Sequence, residues 1–215
     1  MNQPTPRRVG IAPGSEGAAT IVAIAAIARG QVIAFPTETF YGLGVDPARE
    51  DAVAAIFAAK GRAGGEALPL IAADTEAARR VAAVWSEMAE RLAAACWPGP
   101  LTLVVPVRAG AVAPGVTAGR DTVALRVPGH PLARVLATCA PAGVLTATSA
   151  NRSGSPALAT ADDVERALGR GVALIVDGGP SPGGLPSTIV DLTDARPRLI
   201  RQGPVAFDRV LEFLR

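Results

Sequence analysis

Residues 32–61 read VIAFPTETFYGLGVDPAREDAVAAIFAAKG: an apolar run of strand length (32–35), a hydroxyl- and glycine-bearing turn, and then a stretch of helical period (47–60). A strand that feeds a helix across a short polar connection is the repeating unit of an α/β fold. Within the helical part Val53, Ile56, Phe57 and Lys60 fall at i, i+3, i+4 and i+7, so an apolar stripe faces a core and a lysine ends it. Asp46 precedes Pro47 as an N-cap acceptor before a proline at the first helical position, and Gly61 stands at the natural C-cap.

The same alternation continues along the chain. Further strand-length runs lie at 68–72, 101–107, 123–127, 144–147, 174–177, 187–192 and 198–201, and further helix-period segments at 18–28, 75–84, 87–96, 132–139, 161–168 and 204–214. Thr160 and Asp163 give a capping-box-like spacing at the start of the segment 161–168. This predicts a three-layer α/β domain with helices on the faces of a twisted sheet. Residues 101–127 and 174–201 hold strands joined by loops, so the sheet is expected to be mixed. Residues 177–187, DGGPSPGGLPS, read as a surface loop. Glycine and proline are scattered rather than clustered, and a single domain over residues 1–215 is expected.

Of the 215 residues 49% are hydrophobic and 19% charged, which excludes intrinsic disorder. No apolar run reaches the ~18 residues of a membrane span, and MNQPTPRRVG lacks the apolar core of a signal peptide, so a soluble cytoplasmic protein is expected. Cys96 and Cys139 are far apart, with no CxxC and no histidine companion, which argues against zinc. Net charge is +2, too little to indicate a nucleic-acid partner by itself. Its makeup says more. Twenty of the 21 basic residues are arginine, and Lys60 is the single lysine. His130, Tyr41 and, beyond the N-terminus, Asn151 are equally solitary. Where composition has displaced a residue type almost everywhere, its survivors are candidates for chemistry that substitutes do not perform.

Three clusters carry such residues. Lys60 and Arg62 deliver two cations to one helix end; a compact ammonium and a planar fork suit different oxygens of one polyphosphate. FPTETFYGLG (35–44) sets three hydroxyls, a carboxylate and two glycines at a strand end, where ligands bind in open α/β sheets. Its GLG is a weak dinucleotide signal, and no GxxxxGK[ST] exists in the chain. TATSANRSGS (146–155) follows an apolar strand with a hydroxyl-rich segment, better suited to a polar ligand cradle than to a serine nucleophile, since no GxSxG elbow is present. His130, flanked by prolines, reads as a turn or helix-start residue, and Trp97-Pro98 as a packing corner. Arg126 interrupts an apolar strand, where a charge requires a partner or a ligand.

Taken in order, FPTETFYGLG, the Lys-x-Arg of AAKGR, WPGPLT, VALRVPGHP, TATSANRSG, PSTIVD and IRQG closely resemble the YrdC-like threonylcarbamoyl-AMP synthases, over roughly residues 20–205. That resemblance implies a twisted mixed α/β sheet flanked by helices, with a concave basic cavity. It implies an enzyme, a nucleotidyltransferase that joins L-threonine, bicarbonate or CO2 and ATP into threonylcarbamoyl-AMP and releases pyrophosphate. The product serves threonylcarbamoyladenosine formation beside the tRNA anticodon. Carried over residue by residue, Thr37, Arg126, Ala147 and Ser187 would bind threonine, with Arg126 on its carboxylate. Lys60 and Arg62 would be the catalytic cations on the ATP phosphates, and Thr122, Ser149, Asn151, Ala157 and Arg201 would complete the nucleotide site. Mg2+ would bridge phosphate oxygens rather than occupy a protein cage.

One stretch departs from the family pattern. After Lys-x-Arg the family continues Arg-Pro and reaches Pro-Leu a few residues on, whereas this chain reads RAGGEALPL (62–70), so a threonine contact just before Pro-Leu has no clear counterpart. The chain ends at Arg215 and resembles the short form, which hands its product to a separate transferase complex. An alternative reading is an RNA-binding module whose arginines line a basic concave face and hold tRNA or double-stranded RNA; the low aromatic content (4%) weighs against single-strand binding. A carbamoyl-adenylate reading of the hydrogenase-maturation kind would normally bring acylphosphatase and zinc-finger segments, which this sequence does not contain.

Overall fold

A computed structural model describes residues 6–11, 16–61 and 65–215. Arg62, half of the expected cation pair, lies outside these residues, as do Ala63 and Gly64.

Among the described residues the strands form two mixed sheets rather than the one that the alternation predicts. The first contains β1 (Arg7–Gly10), β2 (Ile33–Phe35), β3 (Gly42–Gly44), β8 (Thr148–Ser149) and β9 (Leu174–Asp177), in the order β1-β9-β2-β3-β8. The second contains β4 (Leu70–Ala72), β5 (Leu101–Pro106), β6 (Thr122–Arg126), β7 (Val144–Thr146), β10 (Thr188–Asp191) and β11 (Arg198–Arg201), in the order β11-β10-β5-β6-β4-β7. Each sheet has parallel and antiparallel neighbours, so the mixed character is as expected.

The two sheets meet where the chain passes from β7 to β8 through a single residue, Ala147. Thr146 pairs with Leu70 in one sheet while Thr148 pairs with Leu43 in the other. The Thr146 hydroxyl accepts the N–H of Val45 (3.0 Å), and the Ala147 N–H donates to the Pro69 carbonyl (2.8 Å). A side chain on Gly44 would place its Cβ 2.7 Å from the Phe35 ring and 3.2 Å from the Thr146 carbonyl. GLG is therefore a packing requirement at this crossing, and not a dinucleotide turn.

Helices α1 (Glu16–Ala28), α2 (Glu50–Lys60), α3 (Thr75–Val81), α4 (Glu87–Cys96), α5 (Pro114–Thr117), α6 (Pro131–Thr138), α7 (Ala161–Leu168) and α8 (Phe207–Phe213) cover the sheets. Two apolar clusters fill the interior, one around Leu43, Ile56, Leu103 and Leu125, the other around Phe35, Ile71, Leu136 and Val176.

Several element boundaries differ from the sequence reading. Helix α2 begins at Glu50, not at 47, because the Asp46 carboxylate accepts the Ala48 N–H (3.0 Å) in a local turn and the Pro47 carbonyl is taken by Ala113. Helix α3 stops at Val81, since Ala82 bridges to Val107. Thr160 does cap α7, accepting the Asp163 N–H (3.2 Å), and His130 occupies the N-cap position of α6 ahead of Pro131. Trp97 forms the expected corner, donating its indole N–H to the Leu101 carbonyl (2.6 Å). The segment 177–187 is a surface loop after β9, as expected, and it is tied down where Gly183 donates to the Thr39 carbonyl (2.7 Å) and Ser181 to that of Ala159 (2.8 Å). Among the described residues no helix is long and apolar enough to cross a membrane.

Candidate active site

The apolar stripe of α2 carries Lys60 to the inner end of the helix. Gly61 terminates it in the left-handed region (φ 61°), which a residue with a Cβ adopts at a cost. Lys60 is only 4% exposed. Its ammonium donates to the Ser149 carbonyl and lies 3.4 Å from Asn151 Oδ1. The Lys60 carbonyl accepts the Ser153 N–H (3.0 Å), and Asn151 Nδ2 donates to the carbonyls of Arg152 and Ser155. The bend 149–155 is thus wrapped around the helix end by hydrogen bonds, with the Ser149 side chain exposed. The expected cradle of Lys60, Ser149 and Asn151 is brought together.

The second group lies at strand ends of the six-stranded sheet. Arg126, the last residue of β6 and 9% exposed, forms an ion pair with Glu38. Arg201, at the end of β11, donates through Nε and Nη2 to the Ser187 carbonyl (3.0 and 2.9 Å) and through Nη2 to its hydroxyl (3.2 Å). The Ser187 hydroxyl also meets Thr102 Oγ1 at 2.8 Å. Burial, and then the positive charge of Arg201, push the Arg126 guanidinium down to about 10, still cationic at neutral pH. Burial likewise lowers Arg201. Thr37 closes a tight turn beside this group, donating to the Phe40 carbonyl (2.7 Å) and accepting the Thr39 N–H (3.2 Å).

One short segment touches both groups. Glu38 reaches Arg126, while four residues on Gly42 pairs with Ser149, and the Tyr41 carbonyl accepts the Ala150 N–H (2.8 Å). Four residues span at most about 14 Å, so a nucleotide and a small ligand lying side by side would reach both. Ala147 stands between the groups, at the crossing of the sheets. Thr122 shares a face of β6 with Arg126 but sits at the other strand end, about 13 Å away. Ala157 follows the 149–155 bend. Arg201, assigned to the nucleotide by resemblance, is held on Ser187 in the second group. Sequence reading gave no role to Thr102 or Glu38. A groove of about 770 Å³ near Arg152, Arg166 and Arg170 contains none of the expected site residues.

Residues 25–203 match the Sua5/YciO/YrdC family model, described as telomere recombination. The chain belongs to the Sua5/YciO/YrdC family. It is 41% identical over 189 residues to the threonylcarbamoyl-AMP synthase of Bacillus subtilis (strain 168), covering 87% of this chain and 54% of the relative. It is 37% identical over 202 residues to a putative threonylcarbamoyl-AMP synthase of Mycobacterium tuberculosis (strain H37Rv), covering 94% and 92%. The crystal structure of Pyrococcus abyssi Sua5 complexed with L-threonine superposes with a TM-score of 0.88 at 38% identity, covering 97% of this chain and 60% of that one. The chain spans about half the length of the B. subtilis relative.

Proposed function

We propose that this chain is an L-threonylcarbamoyladenylate synthase, condensing L-threonine, bicarbonate or CO2 and ATP into threonylcarbamoyl-AMP and pyrophosphate for threonylcarbamoyladenosine formation on tRNA in the cytoplasm. The observation that carries this reading is the segment 37–42, which joins a buried ammonium cradle to a two-arginine group. Similarity to a Sua5 that was crystallised with L-threonine supports the amino-acid half.

In this reading Arg126 binds the threonine carboxylate, with Thr37, Ala147 and Ser187 around the rest of the molecule. Lys60 and Arg62, with Ser149, Asn151, Thr122, Ala157 and Arg201, hold ATP so that its α-phosphorus faces the threonine nitrogen and the carbamate formed on it. An oxygen of that carbamate attacks the α-phosphorus, and the bond to the bridging oxygen of pyrophosphate breaks. The chain contributes positioning and charge: Lys60 is already desolvated and oriented by Ser149 and Asn151, so little reorganisation accompanies the step. Among the described residues no three His, Cys, Asp or Glu side chains converge to hold a metal. The donor set of ammonium, hydroxyl and amide suits phosphate oxygens directly, and Mg2+ brought with the ATP would supply further charge neutralisation. The adenylate would pass to a transferase complex acting on tRNA.

The test is pyrophosphate release by purified protein, expected only when threonine and bicarbonate are both supplied. Lys60→Ala is expected to lower kcat/KM at least ~tenfold, about 1.4 kcal/mol of transition-state stabilisation. Pyrophosphate release without threonine, or undiminished activity in the variant, would contradict the assignment. RNA binding is the second reading, favoured by the three arginines around the 770 Å³ groove. A salt-sensitive affinity for RNA that Arg152, Arg166 and Arg170 control would support it.

A further inference from the structure

The Arg126–Glu38 pair joins a buried guanidinium to a part-buried carboxylate in an unusual way. A carboxylate that only neutralised a buried guanidinium would gain most from two parallel N–H···O contacts. Here a single oxygen, Oε1, meets Arg126 Nη1, and the second, Oε2, is buried with no hydrogen-bond partner among the described residues. An unpaired buried carboxylate oxygen is costly to maintain. The guanidinium, for its part, has five N–H donors, and among the described residues its one hydrogen bond goes to Glu38. Both members of the pair therefore hold unused capacity of opposite kinds, acceptor on one and donor on the other.

Local structure holds the carboxylate in place. Glu38 follows Thr37, whose hydroxyl closes the 37–40 turn, and its side chain lies against Gly129, where an added Cβ would come within 3.9 Å of Cγ and Cδ. Arg126 and Arg201 are two cations in electrostatic contact, and Glu38 supplies one negative charge against them.

We propose that Glu38 is the residue that recognises the α-ammonium group of the substrate amino acid, working as a pair with Arg126 on the α-carboxylate. An amino acid carries its carboxylate and ammonium on one carbon, and a guanidinium beside a carboxylate is the matching surface. The ligand carboxylate takes the N–H donors of Arg126 that Glu38 does not use. The ligand ammonium donates to Oε2, the acceptor that has no partner among the described residues. The site thereby selects amino acids with a free α-amino group over hydroxy acids of the same shape, and it fixes the nitrogen on which the proposed reaction is built. The inference rests on the reading of Arg126 as the carboxylate holder.

The experiment is calorimetric titration of the full chain with L-threonine and with 3-hydroxybutanoate, which is threonine without its amino group. The wild type is expected to bind threonine at least ~tenfold more tightly. In Glu38→Gln, close to isosteric, that ratio is expected to fall to about threefold or less, and Glu38→Asp should restore part of it; thermal melting checks that each variant is folded. A ratio unchanged in Glu38→Gln while the wild type binds threonine would overturn this inference alone. Tighter binding of both ligands at an unchanged ratio would do the same, making Glu38 only a competitor for Arg126. Wild-type protein that binds neither ligand would overturn the amino-acid reading of the site, and the inference with it.

Discussion

The two ends of the candidate site are built on opposite principles. At the Lys60 end the chain satisfies itself. The ammonium, the Asn151 amide and the surrounding backbone groups find partners within a continuous bend, so the cradle is formed before any ligand arrives. At the Arg126 end the groups come from strand termini and a turn distant in sequence, and among the described residues Glu38 Oε2 is buried without a partner while Arg126 makes a single hydrogen bond, to Glu38. The first arrangement suits a step in which charge develops and must meet oriented donors. The second suits recognition, because a ligand that supplies the missing partner gains that interaction in full, and one that does not leaves Glu38 Oε2 buried and unpaired.

That contrast is broken most directly at Arg126. Arg126→Lys keeps the charge but removes the planar fork, and it is expected to raise KM for threonine by roughly ten- to a hundredfold while leaving KM for ATP within about threefold. Equal loss for both substrates would mean that the two ends are not separable. A smaller effect is expected at the crossing of the sheets that sets the distance between them. Gly44→Ala would press a methyl group against Phe35 and the Thr146 carbonyl and is expected to cost about 1–3 kcal/mol in chemical denaturation. An unchanged denaturation midpoint would show that the ring moves aside.

The smallest effect sharpens the comparison from outside the site. Tyr41, in the segment that joins the two ends, donates to Asp177 Oδ1 (3.2 Å) and to the Gly179 carbonyl (2.9 Å). Burial pushes the Asp177 carboxyl up, but Arg8, the Gly179 N–H and Tyr41 together hold it below the usual carboxylate range. A carboxyl whose folded pKa lies below its unfolded value near 4 stabilises the fold above that pH and loses the contribution as pH falls through the folded value. Asp177→Asn is therefore expected to lower Tm by about 2 °C at pH 7, with wild type and variant converging in acid. A constant difference down to pH 2.5 would contradict the linkage.

How much of this was legible in the sequence depended on how local the cause was. Lys60, Gly61 and the cap at Thr160 are read from spacing within one helix turn, and the structure places them accordingly. The second sheet is not legible, because β3 is three residues with two glycines and β8 is two residues, neither long enough to show a period. The change of sheet at Ala147 leaves no mark in an apolar run that reads as one strand. Asp46 looked like a helix cap, but its acceptor is taken by a turn one residue inside the expected helix. Glu38 was visible only as a carboxylate in a motif, since its partner is 88 residues away.

The central claim is that the ammonium at Lys60 and the guanidinium at Arg126 serve one bound pair of substrates. Its most direct test is a crystal structure of the full chain with L-threonine and a non-hydrolysable ATP analogue. The triphosphate is expected against Lys60, Ser149 and Asn151, with the threonine carboxylate on Arg126 and its nitrogen facing Glu38. A triphosphate bound away from Lys60, for instance among Arg152, Arg166 and Arg170, or threonine bound without Arg126, would contradict it.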